Sequence, residues 1–123
     1  MTGGAGASID DLARLDIRVA RVTEATLRTE THVPAYALTL DCGPEMGIRR
    51  SSAQLTDLYS PESLVGKLVL AVVNLPSRRV AGLKSECLVL GVYNSGGTGA
   101  ATGPVTLVTP DGAGEVRPGD RLG

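Results

Sequence analysis

Hydrophobic and polar positions along the chain change their period several times, and each change marks an element. Leu15, Ile17 and Val19 alternate with Asp16, Arg18 and Ala20, the period-two pattern of a half-buried strand, long and bent, that reaches about Ala25. The polar residues 26–34, ending at Pro34, read as a loop. Tyr36, Leu38 and Leu40 alternate again in a second strand, Gly43-Pro44-Glu45 reads as a hairpin-type turn, and Met46 to Ala53 as a third strand. Lys67 to Asn74 is a near-continuous apolar strand, Glu86 to Tyr93 is another, and Val105 to Val108 a short last one. Two short helices interrupt this series. Ser8-Ile9-Asp10-Asp11 has the form of a capping box that starts a helix running to about Arg14. Ser60-Pro61-Glu62-Ser63-Leu64-Val65-Gly66 combines a hydroxyl cap, proline in the first turn and a closing glycine.

The first five strands, with a helix between the third and fourth, have the order of an OB-fold barrel, a mostly β architecture, and Val105 to Val108 is an extra β element at the C-terminus. The expected organisation is a flexible tail over residues 1–8 and one domain over 9–123, carrying short helices and N- and C-terminal extensions. Composition constrains how such a barrel is filled. With no Phe, no Trp and only three Tyr, the core must be built from Val, Leu, Ile and Ala. The longest apolar run, Leu68 to Val73, is far short of the ~20 residues that cross a bilayer, and the first residues lack the basic and apolar regions of a signal peptide. These features predict a cytoplasmic protein without membrane insertion. Cys42 and Cys87 stand singly in apolar segments and read as buried thiols. One histidine and no clustered ligands give no metal spacing, and neither metal nor cofactor is expected.

Net charge is −1, but its distribution is uneven. Residues 1–45 sum to −3, residues 46–84 to +4 and residues 85–123 to −2. The central excess comes from Arg49, Arg50, Lys67, Arg78, Arg79 and Lys84. It describes either one positive face or cations scattered over a solvated surface.

Several stretches occur together in one order. They are Asp16-Ile17-Arg18-Val19, the run Gly47 to Leu55, Leu64-Val65-Gly66-Lys67, Ala71 to Arg78, and Ser85 to Gly91. In that combination the chain resembles the tRNA-binding domain family. Pro34-Ala35-Tyr36, Asp41 to Glu45, Ser52-Ala53-Gln54 and the closing Arg121-Leu122-Gly123 resemble its CsaA branch. The resemblance implies an OB barrel that binds tRNA without regard to fine sequence and dimerises through segments outside the barrel. In the CsaA branch it also implies an export-related chaperone for unfolded or pre-secretory polypeptide. At this length the chain is expected to be the free-standing, non-enzymatic kind. The segments expected to form the homodimer are the Ile9 to Leu15 helix and the residues after Val105.

Candidate binding residues follow from these motifs. Arg49 and Arg50 leave opposite faces of a strand, so one can reach a ligand while the other sits behind it. Arg78, Arg79 and Lys84 are expected on a loop between strands, where a cationic loop can track phosphates. Ser51, Ser52, Gln54, Asn74 and Ser85 offer neutral donors and acceptors for sugar, phosphate or peptide backbone. Asn74 can equally bond backbone at a strand end, Ser85 can be a turn residue, and Ser51 and Ser52 ordinary strand positions. Tyr36, with Tyr59 and Tyr93, is the available aromatic. Leu75 and Cys42 replace phenylalanines usual in the CsaA pattern, and Glu86 replaces a common glutamine. Those departures weaken the expected hold on tRNA and strengthen the case for apolar peptide binding in a Leu-lined pocket, while tRNA binding stays the leading expectation. Catalysis is not expected: His32 lies in a polar loop without a nucleophile at a strained turn, and the Gly-rich loop 94–103 lacks the Gly-Lys-Ser/Thr of a phosphate loop.

Overall fold

The computed structural model describes residues 6–123. Its longest element is the strand β1, Ile17–Arg28, which pairs antiparallel with two different neighbours in turn. Ile17 to Arg21 pair with β4, Leu68–Val72, and Arg21 to Arg28 pair with β2, Ala35–Asp41. A register shift between Val22 and Glu24 inserts Thr23 as a bulge, which bends the strand and increases its twist. β3, Ile48–Ala53, pairs with β2, and β7, Leu88–Val89, pairs with β4. The five-stranded sheet therefore runs β3-β2-β1-β4-β7 and curls into an OB-like barrel with short helices.

Two further hairpins stand outside this sheet. β5, Arg78–Val80, pairs with β6, Leu83–Ser85, and β8, Gly91–Tyr93, pairs with β9, Val105–Leu107. The basic segment expected as a loop is thus a regular ribbon. The single strand expected over Glu86 to Tyr93 is two strands belonging to different sheets. Gly91 opens the second one because a Cβ there would lie 2.4 Å from Val105 Cγ1. β1 runs to Arg28 rather than Ala25, which shortens the next loop to 29–34.

The helices follow their capping signals. In α1, Ile9–Ala13, the Ser8 hydroxyl accepts from the Asp11 amide while the Asp11 carboxylate accepts from the Ser8 amide. In α3, Pro61–Leu64, Ser60 and Ser63 cap each other in the same way, and Gly66 follows at φ +94°. Gly43-Pro44-Glu45, expected as a hairpin turn, forms the one-turn helix α2, Gly43–Met46. Gly43 is packed so closely on the C-terminal segment that a Cβ would meet the backbone of Pro118 and Gly119 at 2.6 Å. Most of the expected 1–8 tail lies outside the described residues.

Leu38, Leu40, Leu64, Val22, Val69 and Cys42 are fully buried and form one cluster with Ala20, Ala71, Val73 and Leu107. Aromatic rings contribute only Tyr36 and the half-buried Tyr59. The Tyr36 hydroxyl donates to Tyr59 O at 2.6 Å, and the Tyr59 hydroxyl accepts from the Leu107 amide at 3.0 Å.

At the start of β1 the alternation misleads. Arg18, placed on a polar face by the pattern, is buried because α2 and Asp16 enclose it. Its Nε donates to Asp16 Oδ1 at 2.7 Å and its Nη1 to Glu45 Oε1 at 2.5 Å. The hydrogen bonds from Arg18, and its charge, hold the Asp16 carboxyl below the ordinary carboxylate value despite partial burial. A group depressed in the folded state stabilises the fold above its unfolded pKa and loses that contribution as pH falls through the folded one. Stability should therefore be level near neutrality and decline below about pH 4. Asp16→Asn should flatten part of that decline, as read from urea midpoints between neutral and acid pH.

Candidate nucleic-acid interface

The barrel closes where β3 meets the segment Ser85 to Cys87. One backbone bond, from the Glu86 amide to Arg50 O at 2.8 Å, crosses the seam, and side chains supply the rest. Glu86 Oε1 accepts from the Arg50 amide at 3.1 Å, Ser85 Oγ accepts from the Ser52 amide at 3.1 Å, and Ser51 Oγ donates to Cys87 O at 2.9 Å. The glutamate standing in place of the common glutamine thus uses one carboxylate oxygen to close the barrel.

The β5–β6 ribbon projects beside this seam. Its register is Arg78↔Ser85, Arg79↔Lys84 and Val80↔Leu83. Opposed residues in an antiparallel pair share a face. Arg78 and Ser85 therefore lie on the inner side with Val80 and the buried Leu83, while Arg79 and Lys84 stand side by side on the outer face. Like charges directly opposite one another destabilise a ribbon. Among the described residues neither Arg79 nor Lys84 is ion-paired with a carboxylate; the Arg79 Nη1 donates to Gly82 O at 3.2 Å. The turn between the strands has Ala81 at φ +48° and Gly82 at φ +87°, as a two-residue turn of the mirror-image type requires.

Between the ribbon and the seam lies an open groove of about 490 Å³. Leu75, Pro76, Leu88 and Cys87 give it an apolar wall, and Ser52, Ser77, Arg78 and Ser85 a polar one. Cys42 and Cys87 are both free and buried, the Cys87 Sγ donates to Arg50 O at 3.9 Å, and interaction with Cys42 together with burial pushes the Cys87 thiol up.

The structure brings some of the expected binding residues together and separates others. Ser52, Arg78 and Ser85 line the groove, and Arg79 and Lys84 flank it on the outer face. Arg50 is exposed on the outer face of β3, and Gln54 is exposed just past its end. Arg49 shares the face of buried Leu40, where its Nε donates to Met46 O at 3.1 Å. Ser51 is buried in the seam, and Tyr36 is a core residue that presents no ring face to solvent. Asn74 does not line this groove, although the next residue, Leu75, does. Its Oδ1 accepts from the Asp16 amide at 2.9 Å and its Nδ2 donates to Arg14 O at 2.8 Å, so it fastens the junction between α1 and β1 to the end of β4.

Two participants went unnoticed in the sequence. Leu88, half exposed, forms part of the apolar wall. Arg28, in a stretch read as loop, reaches the turn of the β5–β6 ribbon. The β-branched and aliphatic residues Thr26 and Leu27 were the signal that the strand continued to it.

Residues 17–120 match the model of the family described as "Putative tRNA binding domain". The chain belongs to this family. It is a tRNA-binding domain, and its similarities fall into two groups. It is 42% identical to the chaperone CsaA of Bacillus anthracis, with a TM-score of 0.84 over 97% of this chain and 100% of that one. With the CsaA chaperone protein of Picrophilus torridus it shares 37% identity and a TM-score of 0.83 over 96% and 100% of the two chains. It is also 37% identical to the methionine–tRNA ligase of Thiobacillus denitrificans over 108 residues, 88% of this chain. This tRNA-binding domain spans only about 15% of the length of that ligase.

Asn74→Ala should cost about 1 kcal/mol of stability through the loss of its two backbone bonds. Ligand affinity at a temperature where the variant is folded should stay unchanged. Chemical denaturation alongside a binding titration measures both, and an affinity loss at unchanged stability would make Asn74 a contact residue.

Proposed function

We propose that this chain is a non-enzymatic, CsaA-type protein that holds tRNA by its sugar–phosphate backbone across the β5–β6 ribbon and the outer face of β3. The observation that carries this reading is the Arg79–Lys84 pair. Two opposed cations without a carboxylate partner repel each other in the free protein, and a phosphate between them removes that repulsion. Arg50 on β3 and Arg78 at the groove extend the cationic surface on either side. Strands two and three and the loops flanking them form the ligand face of OB barrels in general. With Tyr36 buried, the exposed Tyr93 is the tyrosine free to stack. Binding is therefore expected to rest on charge more than on bases.

The absence of catalysis is supported by the placement of the reactive side chains. His32 is exposed on the 29–34 loop, while Cys42, Cys87 and Ser51 are buried. Among the described residues no helix is long and apolar enough to cross a membrane, and a tRNA ligand goes with a cytoplasmic location.

A second reading, a chaperone for unfolded or pre-secretory polypeptide that works with export machinery, is favoured by the groove. Leu75, Pro76 and Leu88 offer an apolar wall wide enough for a side chain, with Arg78 and the Ser52 and Ser85 edge beside it for peptide carbonyls. Competition between tRNA and an unfolded polypeptide tests whether the two ligands share the site.

A homodimer is part of the proposal. Ile9, Leu12, Leu15 and Leu122 leave an apolar surface exposed around a second groove of about 470 Å³, where α1 meets the C-terminus. A second copy of the same surface would cover it.

Titrating tRNA at several salt concentrations should show affinity falling steeply with salt. The Arg79→Ala, Lys84→Ala double variant should weaken binding and lower the log–log salt slope by about 0.7–0.9, the worth of the one phosphate the pair holds. An unchanged slope would remove the ribbon from the interface. Light scattering at micromolar concentration should give the mass of a dimer, and Leu12→Glu that of a monomer; a wild-type monomer would refute the dimer.

A further inference from the structure

We infer that Arg28 is the positioning residue of the binding face, a latch that ties the two ligand-flanking loops together and holds the basic ribbon at its working angle. The inference rests on the tRNA-binding reading above. Arg28 is the last residue of β1, where the 29–34 loop begins. Its Nη1 donates to Val80 O at 3.0 Å and its Nη2 to Ala81 O at 2.5 Å, a fork across the turn of the β5–β6 ribbon. Its Nε donates to Glu30 Oε2 at 3.0 Å, so the same guanidinium holds the 29–34 loop. Loops in these two places flank the ligand face of an OB barrel. One largely buried side chain therefore bridges both walls of the proposed site.

Three further observations set Arg28 apart from a surface cation. Each of its three nitrogens donates within the protein, three of the five N–H groups in all, so the guanidinium is held in one orientation by the ribbon turn and the 29–34 loop. The turn it grips contains Ala81 in the left-handed region, a strained conformation for a residue with a Cβ, which persists only where its surroundings hold it. The ribbon is a separate two-stranded sheet carrying two opposed cations, so it has little stability of its own. Arg28 fixes its tip through the Val80 and Ala81 carbonyls, and the spacing of Arg79 and Lys84 relative to β3 follows from that contact. A lysine at position 28 keeps the charge but has no planar fork to span two adjacent carbonyls.

The test is a double-mutant cycle on the full chain, with tRNA binding measured against salt. Arg28→Lys should weaken tRNA binding about tenfold and lower the salt slope, although net charge is unchanged. In the Arg79→Ala, Lys84→Ala background the same change should have little further effect, because the cations it positions are gone. Full additivity, or wild-type binding by Arg28→Lys alone, would overturn the latch. Unaltered binding by the Arg79→Ala, Lys84→Ala variant would instead overturn the tRNA reading at this face, a separate outcome. Should Arg28→Lys fail to fold, Glu30→Gln frees one contact of the guanidinium from an exposed position. A fall in affinity there supports the latch, since loss of a negative charge alone raises affinity for a polyanion. A rise would count against it.

Discussion

Backbone pairing along β1 is the constraint on which the rest of this structure depends. Arg21 faces Asp41 of β2 on one side and Leu68 of β4 on the other, so the strand passes from one neighbour to the next at a single residue. The edge left open at its start is taken by the C-terminal segment, with Val19 bonding Asp120 and Gly119, and Leu122 bonding Ile17. Just beyond Arg21, the Val22 amide and carbonyl bond Lys67 and Gly66, which seats the end of α3 against the strand. The curl of the sheet, the place of the helix and the docking of the C-terminus are thus set by twelve consecutive residues.

Much of this was legible in the sequence because local chemistry dictated it. The Ser8–Asp11 capping box is closed as its residues require, Ser60 caps α3 as expected, and the alternation of Tyr36, Leu38 and Leu40 is the buried face of β2. Missing aromatics announced an aliphatic core, and the core is aliphatic. The errors came from tertiary contacts. Arg18 alternates as a surface residue does, but two carboxylates, one of them Glu45 on α2, make its burial tolerable, and no local pattern shows a partner 27 positions away. The ribbon at 78–85 is three residues per strand, too short for alternation to register, and its turn uses Ala-Gly rather than a strong turn pair.

The candidate site was legible as composition and not as geometry. A local excess of cations in residues 46–84 is visible by counting, yet counting cannot separate Arg49, turned toward the core and bonded to Met46, from Arg50, facing outward. Nor can it show that Arg79 and Lys84 oppose each other, since that depends on the register of a ribbon. Asn74, Ser51 and Ser85 hold the barrel together through their polar groups, so residue types suited to a ligand are equally suited to the backbone. Motif membership reports that a side chain matters to the family's architecture; only its partners report how.

The seam between β3 and the Ser85–Cys87 segment sets where this barrel yields first. A continuous ladder opens cooperatively, because each broken bond exposes the next pair. One backbone bond and a row of single side-chain bonds have less of that coupling, and the exposed ones among them can exchange with water singly. The seam also borders both the groove and the cationic ribbon. The wall of the barrel that separates most readily is therefore the one a ligand would touch, and a polymer gripping both margins would fasten the cylinder like a clasp.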